Sequence, residues 1–328
     1  MNWTGVLSGP DSNRLKVIVI VGPTAVGKSA VAVEVAKELG GEIVALDSRQ
    51  VYEGMTVGTA QPTELERQEI PHHLYGIMRP DHPISAGEYA RTAEACIGEI
   101  LGRGNQPVIC GGSGLYYRAL TQGLFEGSAS DLAVRKRLQS ELKEIGSAAL
   151  LKRLRKIDPQ YAKITHPNNH KRLLRAMEIY EMTGVSASEH FRRQERKSSP
   201  YHYFSAYLKV SAKVLETRIR NRIEKMLQDG WIDEVKRLRA RRYTRDVHPM
   251  DSLGYGQIAA FLKNKIHYDE MLNRIHIETR QYAKKQLTWF DKEAVDLCLG
   301  ETIVTGSDTR ELAQMITLAY QKDLMETG

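Results

Sequence analysis

The chain has 328 residues, of which 41% are hydrophobic and 27% charged, a composition typical of a globular protein of about two domains, or of one domain with a large insertion. No apolar run approaches the ~20 residues of a membrane span, and the first residues lack the basic and apolar pattern of a signal peptide, so we expect no membrane association. The three cysteines (Cys96, Cys110 and Cys298) are far apart, which excludes a disulfide framework and a cysteine zinc site and favours a reducing cytoplasm.

The net charge of +7 is unevenly distributed along the chain. Residues 1–134 carry a net charge of −5, residues 135–197 one of +9, and residues 198–328 one of +3. Segregated positive charge of this kind indicates a polyanionic partner, although a solvated helical face rich in Lys and Arg explains it equally well.

Short apolar runs alternate with helical patterns through the first 120 residues. Residues 16–21 (KVIVIV) and 42–46 (EIVAL) are typical of buried parallel strands, and residues 107–110 predict another strand that leads into GGSG. Helices are predicted over residues 28–39, before a Gly-Gly stop, over residues 85–102, with Ser85 and Glu88 as a capping box, and near residues 115–120. This alternation predicts a doubly wound parallel α/β sheet.

The pattern changes after residue 123. Residues 131–197 contain no convincing strand, only helical stretches dense in Lys and Arg. A strand is predicted at 203–210, a helix capped by Ser211 follows it, further helices reach residue 290, and a strand at 295–299 precedes a final helix from Asp308. We therefore predict an α/β core with C-terminal helices, formed by residues 1–122 and 200–328, and a helical, basic insertion domain of residues 123–199.

The segment GPTAVGKS at residues 22–29 fits the phosphate-binding pattern G-x-x-x-x-G-K-[ST], between a predicted strand and a predicted helix. The predicted diphosphate-binding residues are Gly22, Pro23, Thr24, Ala25, Val26, Gly27, Lys28 and Ser29. Backbone N–H groups and the helix N-terminus would bind phosphate oxygens, Lys28 would add a positive charge, and the Ser29 hydroxyl would bind Mg²⁺. The fold is therefore expected to be that of P-loop NTPases.

An ATPase of this type also needs a carboxylate after a later apolar strand, but the strand at 107–110 ends in two glycines. The apolar strand that does end in a carboxylate is the one before Asp47. At the carboxyl end of a neighbouring strand, Asp47 would face the same crevice as the loop. It could hold Mg²⁺ through water, act as a general base, or simply cap the following turn.

Arg222 lies at the edge of an apolar stripe in the predicted helix 211–227. A cation turned toward a core needs a partner, which could be a bound phosphate or a core carboxylate. Geometry alone does not decide between them.

Several motifs, taken together and in this order, resemble the tRNA dimethylallyltransferases (tRNA isopentenyltransferases). They are GPTAVGKS, DSRQVYEGMTVGTA at 47–60, PHHLYGI at 71–77, GGSGLYYRAL at 111–120, HPNNHKRLLRAMEIY at 166–180, GYGQ at 254–257 and RQYAKKQLTW at 280–289. The resemblance covers about residues 16–290. Three positions differ from the residue that is frequent in that family. Ser113 stands where Thr is more frequent, Gln61 where Lys is frequent and Lys285 where Arg is common, and each keeps a polar side chain.

The resemblance implies a prenyl transfer from dimethylallyl diphosphate to N6 of adenosine 37, beside the anticodon, in tRNAs that read codons beginning with U. In this chemistry the loop, Mg²⁺, Lys28 and Arg222 stabilise the leaving diphosphate. Thr24 contacts its bridging oxygen, and Asp47 accepts the proton from N6. The resemblance also implies that the tRNAs modified are those with adenosines at positions 36 and 37.

The resemblance also implies that the target base is extruded from the anticodon loop and that the basic insertion holds RNA phosphates. The predicted RNA-contacting residues are Asp47, Ser48, Arg49, Gln50, Ser113, Arg135, Lys171, Arg172, Arg175, Gly254, Tyr255, Gln257, Arg280, Gln281, Lys284 and Lys285. We expect a cytoplasmic monomer whose partners are the tRNA anticodon stem-loop and dimethylallyl diphosphate, with Mg²⁺ as the cofactor.

Three alternatives differ in what they predict. A P-loop small-molecule kinase would form ADP from ATP. An enzyme that prenylates free adenine nucleotides would not need the basic insertion. A non-catalytic RNA-binding protein with a structural nucleotide site would tolerate the loss of Asp47.

Overall fold

The protein is described here by a computed structural model that covers residues 15–123, 131–193, 199–244 and 247–326. The expectation about a signal peptide concerns residues that lie outside these ranges. The strands are β1 Leu15–Val21, β2 Gly41–Leu46, β3 His72–His73, β4 Gln106–Gly111, β5 Tyr201–Leu208 and β6 Leu297–Leu299. The helices are α1 Lys28–Leu39, α2 Thr56–Thr59, α3 Glu64–Glu69, α4 Ala86–Gly102, α5 Gly114–Thr121, α6 Leu132–Ile157, α7 Pro159–Lys163, α8 His170–Thr183, α9 Ala187–Arg193, α10 Ala212–Gln228, α11 Trp231–Ala240, α12 Tyr255–Phe261, α13 Tyr268–Phe290, α14 Glu301–Gly306 and α15 Thr309–Glu326, with a 3₁₀ turn at His248–Asp251.

The chain divides into two compact units. The first contains the described residues of 1–84, 89–117 and 200–328, and the second contains those of 85–88 and 118–199. No helix in the described part of the chain is long and apolar enough to cross a membrane.

The first unit is built on a six-stranded parallel sheet in the order β3-β2-β4-β1-β5-β6. The central strands consist almost entirely of buried Val, Ile, Leu and Ala, since helices cover both faces of a parallel sheet. β1 lies between β4 and β5, and its crossover helix α1 leads to β2 on the far side of β4. The chain therefore changes winding direction between β1 and β4, where α/β proteins place their ligands.

The sequence-based prediction of an α/β parallel sheet is confirmed. The predicted helix at 28–39 has the same bounds in the structure, and both hydrogen bonds of the Ser85–Glu88 capping box form, at 2.8 and 3.2 Å. The strand predicted at 203–210 begins two residues earlier, and the one predicted at 295–299 is three residues long. The sequence did not predict β3, which has two histidines and no apolar run, or the short helices α2, α3 and α14.

The second unit is helical in most of residues 131–193. α6 is kinked at Gly146 (φ 79°, ψ 165°), and it packs with α7, α8 and α9 around buried leucines such as Leu138, Leu154 and Leu173. The buried carboxylate of Asp158 accepts hydrogen bonds from the backbone N–H groups of Tyr161 (2.9 Å) and Ser188 (2.7 Å). The unit thus has a core of its own, and its role as an RNA-binding insertion stays a prediction.

Candidate active site

Three loops leave the same edge of the sheet side by side. Val21 of β1 and Leu46 of β2 are both in register with Gly111 of β4. The phosphate loop, Asp47 and the GGSG segment are the residues that follow these three strand ends. Parallel pairing therefore brings together motifs that are up to 90 residues apart in the sequence, at the switch point between β1 and β4.

The phosphate loop leads directly into α1, whose N-terminus follows Gly27. The first-turn N–H groups of a helix have no partner within it, and the helix dipole places partial positive charge there, so this end of α1 favours an anion. Lys28 bends back over the loop, and its Nζ donates to the carbonyl oxygen of Pro23 at 2.6 Å. The lysine therefore lies against the loop that precedes it, and the binding of a diphosphate by these residues stays a prediction.

A buried glutamine of α13 joins the phosphate loop to the loop after β4. Gln286 accepts a hydrogen bond from Thr24 N through Oε1 (2.8 Å) and donates from Nε2 to Gly112 O (2.8 Å). Any Cβ at position 112 would collide with this amide, so the close approach requires glycine. Sequence reasoning missed Gln286, although its place in the buried stripe of Ala283 and Phe290 was a signal that it bonds inside the core.

A second unpredicted contact comes from α10. Arg218 donates from Nη1 to the carbonyl oxygen of Val26 at 2.9 Å and so supports a second point of the loop. Arg218 lies four residues before Arg222 and so on the same face of the helix, which was the sequence signal that it lies near the loop.

Lys28 and Arg222 form a pair of cations beside the loop. Burial, together with the smaller effect of the nearby Arg222 guanidinium, lowers the pKa of Lys28 to about 8 against the opposing effects of Cys110 and Asp47. Burial also lowers the pKa of Arg222, and the Asp47 carboxylate opposes this. Arg222 is partly buried and makes no hydrogen bond or ion pair with any described residue, so the core carboxylate considered as its partner is not found there.

Asp47 uses only one of its two carboxylate oxygens within the described chain. Oδ1 accepts from the backbone N–H groups of Arg49 (2.7 Å) and Gln50 (3.3 Å), which caps the turn after β2. Oδ2 accepts no hydrogen bond from the described residues. Turn capping and proton acceptance are therefore compatible, because each occupies a different oxygen.

Cys110 occupies the end of β4, where an ATPase would place its metal-orienting carboxylate. Burial raises the pKa of this thiol to about 11, which favours the protonated form at neutral pH. In the part of the chain that is described, no group of three or more His, Cys, Asp or Glu side chains is placed to hold a metal. A metal here would therefore depend on ligand phosphates, Ser29 and Asp47.

The three residues after Asp47 form the turn that its carboxylate caps. Ser48 is half-buried, and its hydroxyl has no hydrogen bond with the described residues. Arg49 contacts His248 (Nη1 to Nδ1, 3.1 Å), whereas the Gln50 amide donates to the carbonyl oxygens of Thr59 (3.1 Å) and Ala60 (2.8 Å). The Nε2 group of Gln50 is thus hydrogen-bonded to the neighbouring loop, whereas its Oε1 could still accept a hydrogen bond from a base.

Tyr282 is a further neighbour of Asp47 that sequence reasoning missed. Burial raises the pKa of its phenol, as does the Asp47 carboxylate, while Arg49 opposes this effect. A neutral phenol beside the carboxylate can donate a hydrogen bond or stack on a base. Tyr282 is the aromatic residue of RQYAKK, which was the sequence signal.

The GYGQ motif is held against the segment MTVGTA by a buried carboxylate. Glu234 accepts from Val57 N (2.7 Å), Gly58 N (3.0 Å) and the Tyr255 hydroxyl (2.6 Å). Tyr255 is only 1% exposed, and a Cβ at position 58 would collide with Trp231 and Tyr255. Gln257 Oε1 accepts from Gly254 N at 2.9 Å. The side chain of Tyr255 therefore positions the loops, and any RNA contact of this motif would use its backbone or its neighbours.

The remaining predicted residues of this unit lie at the edge of the site or on helix surfaces. Ser113 is half-buried and donates from its backbone N to Leu46 O (3.2 Å). On α13, Gln281, Lys284 and Lys285 are exposed, and Arg280 forms an ion pair with Glu216 at 3.0 Å.

In the second unit the four predicted RNA-binding cations differ in their surroundings. Arg135 and Lys171 are exposed and have no ion pair with a described residue. Arg172 is exposed and lies 5.8 Å from the ring centroid of Tyr161. Arg175 is half-buried and pairs with the buried carboxylate of Glu178 at 2.9 Å, so it stabilises the unit itself.

Comparisons with known proteins agree in the class of protein that they find. A family model described as IPP transferase matches residues 50–293. A tRNA dimethylallyltransferase of Syntrophobacter fumaroxidans is 43% identical over 276 residues, which are 84% of this chain and 81% of that protein. A tRNA dimethylallyltransferase 2 of Syntrophus aciditrophicus is 42% identical over 275 residues, with 84% of this chain and 88% of that protein covered.

Solved structures give the same result. The full-length tRNA isopentenylpyrophosphate transferase of Bacillus halodurans aligns with a TM-score of 0.68 and 34% identity, covering 95% of this chain and 97% of that one. A eukaryotic dimethylallyltransferase acting on tRNA aligns with a TM-score of 0.76 and 26% identity, covering 94% of this chain and 78% of that one.

Proposed function

The chain belongs to the IPP transferase family, and from this premise we infer that it prenylates tRNA. We propose that the donor is dimethylallyl diphosphate and that the acceptor is N6 of adenosine 37 in tRNAs with adenosines at positions 36 and 37, which read codons beginning with U. The products are N6-dimethylallyladenosine and diphosphate. Prenylation of free adenine nucleotides and small-molecule kinase chemistry are not favoured, since the relatives are named for their action on tRNA.

The observation that supports this proposal is the pair of cations Lys28 and Arg222 beside the phosphate loop, near Asp47. Each cation is partly buried, and the charge of Arg222 disfavours the charged form of Lys28. Two desolvated positive charges without an ion-pair partner among the described residues favour a ligand with several negative charges, and a diphosphate supplies them. Asp47 then offers a proton acceptor at the edge of the same charge cluster.

In the proposed reaction, the adenosine N6 attacks the allylic carbon C1 of the donor. The C1–O bond breaks, and its electron pair leaves on the diphosphate. Lys28, Arg222 and the loop N–H groups stabilise this growing charge, while the Thr24 hydroxyl contacts the bridging oxygen. Oδ2 of Asp47 accepts the proton released from N6, which balances the reaction.

We propose Mg²⁺ as the cofactor. Ser29 is exposed on the first turn of α1 and would bind the ion through its hydroxyl, whereas Asp47, at the same edge of the sheet, would orient the ion only through a bound water. Mg²⁺ prefers oxygen ligands, keeps several waters and binds through substrate phosphates, so these residues fit it. When bound, the ion would neutralise part of the diphosphate charge.

The proposed RNA contacts extend from the extruded adenosine to the helical unit. Ser48, Arg49 and Gln50 lie beside Asp47 and would read the base edge, with Tyr282 as an aromatic neighbour. The exposed cations Arg135, Lys171 and Arg172 would bind phosphates of the anticodon stem-loop. We expect this activity in the cytoplasm and from a monomer.

The test is to incubate the protein with Mg²⁺, dimethylallyl diphosphate and an unmodified tRNA transcript with adenosines at positions 36 and 37, and to digest and weigh the nucleosides. We expect a gain of one dimethylallyl group on one adenosine. The proposal is wrong if the tRNA stays unchanged while, in parallel reactions, the protein consumes added ATP, which would indicate a kinase, or prenylates added adenine nucleotides.

We predict that the efficiency of the reaction falls above pH 8. The folded-state pKa of Lys28 is lowered to about 8, so its ammonium form is present below that pH and is lost as the pH rises through it. Since the ammonium binds the diphosphate, kcat/KM for dimethylallyl diphosphate should fall about tenfold per pH unit well above pH 8, a profile that reports the free enzyme.

The matched variant for this profile is Lys28→Arg. A guanidinium stays charged throughout the range, so the decline above pH 8 should disappear even if the activity of the variant is lower. A wild-type profile that stays flat to about pH 10, the ordinary pKa of lysine, would contradict the assignment.

We predict that Gln286→Met lowers kcat about 10- to 100-fold and also lowers the melting temperature. The substitution leaves the Thr24 N–H and the Gly112 carbonyl without their partner, at a cost of about 1–3 kcal/mol each, and loosens the loop that holds the leaving group. Kinetics and thermal unfolding check this. Thr288→Val, at an exposed site on the same helix, is the control and should change neither value. An unchanged kcat in Gln286→Met would show that the bridge has no part in catalysis.

A further inference from the structure

A pocket of about 580 Å³ lies in the first unit between α11 and α12, outside the diphosphate site. Small residues of α12 line it together with Met250, and so do Tyr243 and Thr244. Lys236 and Arg239 of α11 line the pocket, as do Lys263 and Lys265 of the turn after α12. The pocket is therefore lined by cations from two separate segments.

The charges in this pocket are not balanced by the described residues. Four of its described lining residues are cations and none is a carboxylate. Lys236 pairs with Asp233 at 2.8 Å, whereas Arg239, Lys263 and Lys265 form no ion pair with any described residue. Five of the seven residues 236–242 are basic, which adds to the local potential. Like charges gathered around one concave surface repel one another, and a bound polyanion would relieve that repulsion.

A solvated helix face explains only part of this charge. Arg237, Arg241 and Arg242 are exposed and need no ligand. Arg239 is half-buried where it lines the pocket, and the two lysines that line the same pocket come from the turn after α12. Long flexible cations around an open depression suit an extended phosphate backbone better than one tightly held phosphate group.

The pocket is connected to the surroundings of Asp47 through one short turn. Arg49, two residues after Asp47, contacts His248 at 3.1 Å. His248 begins the 3₁₀ turn His248–Asp251, which contains the pocket residue Met250. With about 2 Å of rise per residue in such a turn, the pocket begins within a few ångströms of His248. A nucleic acid strand that placed a base at Asp47 would reach it within a few nucleotides, since phosphates of one strand are about 3.4 Å apart along a helix axis.

We propose that this pocket binds the sugar–phosphate backbone of the anticodon stem-loop beside the target adenosine. It is then an RNA-binding surface of the α/β unit itself, distinct from the basic helical unit. This inference rests on the proposed function, because the RNA is the substrate of that reaction.

The test is the triple variant Arg239→Gln, Lys263→Gln, Lys265→Gln, which removes three charges and leaves the paired Lys236 in place. Binding of an unmodified tRNA transcript is measured by fluorescence anisotropy at KCl concentrations on either side of about 0.15 M. Three lost phosphate contacts should raise Kd about 10- to 50-fold at about 0.15 M KCl and reduce the slope of log Kd against log salt by about 2. The kcat at saturating tRNA and the KM for dimethylallyl diphosphate should stay within about twofold of the wild type.

The matched control is Lys37→Gln, Arg310→Gln, Lys322→Gln, which removes the same charge from α1 and α15. It should keep the wild-type Kd and salt slope. If the first triple variant does not fold, the exposed pair Lys263→Gln, Lys265→Gln should still lower the slope by about 1.4.

The outcomes test the pocket proposal separately from the proposed function. If the pocket variant keeps the wild-type salt slope, or if both triple variants lose the same tRNA affinity, the pocket proposal is wrong even when the wild-type protein prenylates tRNA. If the wild-type protein itself forms no prenylated adenosine, the proposed function fails, and the pocket proposal falls with it.

Discussion

Replacing Asp47 by Asn is expected to reduce prenyl transfer by about 10²–10⁴-fold, the range typical of a lost general base, while tRNA binding is retained. The amide oxygen of Asn can still accept the hydrogen bonds from Arg49 N and Gln50 N that Oδ1 now accepts. The amide cannot take up the proton from N6. Single-turnover kinetics with labelled dimethylallyl diphosphate, together with a tRNA binding assay, measures both effects.

Asp47→Ala separates the two roles of this carboxylate. It should lose the same activity as Asp47→Asn, and it should also lose about 0.5–2 kcal/mol of stability because the turn is no longer capped. Full activity in Asp47→Asn, or full activity in Asp47→Ala, would rule out the general base and favour the turn-capping role alone.

Replacing Arg222 by Gln is expected to reduce kcat by about 10²–10³-fold, the usual cost of removing one group that stabilises developing negative charge. Arg222 makes no ion pair with the described residues. It lies near Lys28, and its positive charge lowers the pKa of that lysine. Its removal therefore breaks no described salt bridge, and the melting temperature without ligand should change little or rise. Steady-state kinetics and thermal unfolding with and without diphosphate measure these effects.

Arg220→Gln is the matched control, because Arg220 is exposed on the same helix two residues earlier. Its kcat should stay within about twofold of the wild type, since exposed charges away from the site contribute little. A drop in stability in Arg222→Gln without any loss of kcat would show that Arg222 has a structural role and does not bind the leaving group.

The fold class could be predicted from the sequence because the patterns that indicate strands, helices and the phosphate-binding loop are local. An apolar run such as residues 16–21, a capping pair such as Ser85 and Glu88, and a phosphate-binding loop are each formed by residues within a few positions of one another. The fold class and the family follow from them. The roles assigned to the individual site residues stay predictions, including those of Thr24, Asp47 and Arg222.

Only the tertiary structure shows which distant residues support the site. Gln286 and Thr24 are 262 residues apart in sequence, and Glu234 and Val57 are 177 apart, yet each pair forms a short hydrogen bond. The same holds for the proximity of Lys28 and Arg222 and for the cations that line the pocket between α11 and α12. Periodicity describes the faces of a single element, whereas a buried polar contact depends on which faces meet when the sheet and its helices pack. Local sequence patterns therefore predict the helices, the strands and the phosphate-binding loop. Only the packing of these elements determines which distant side chains form hydrogen bonds with them.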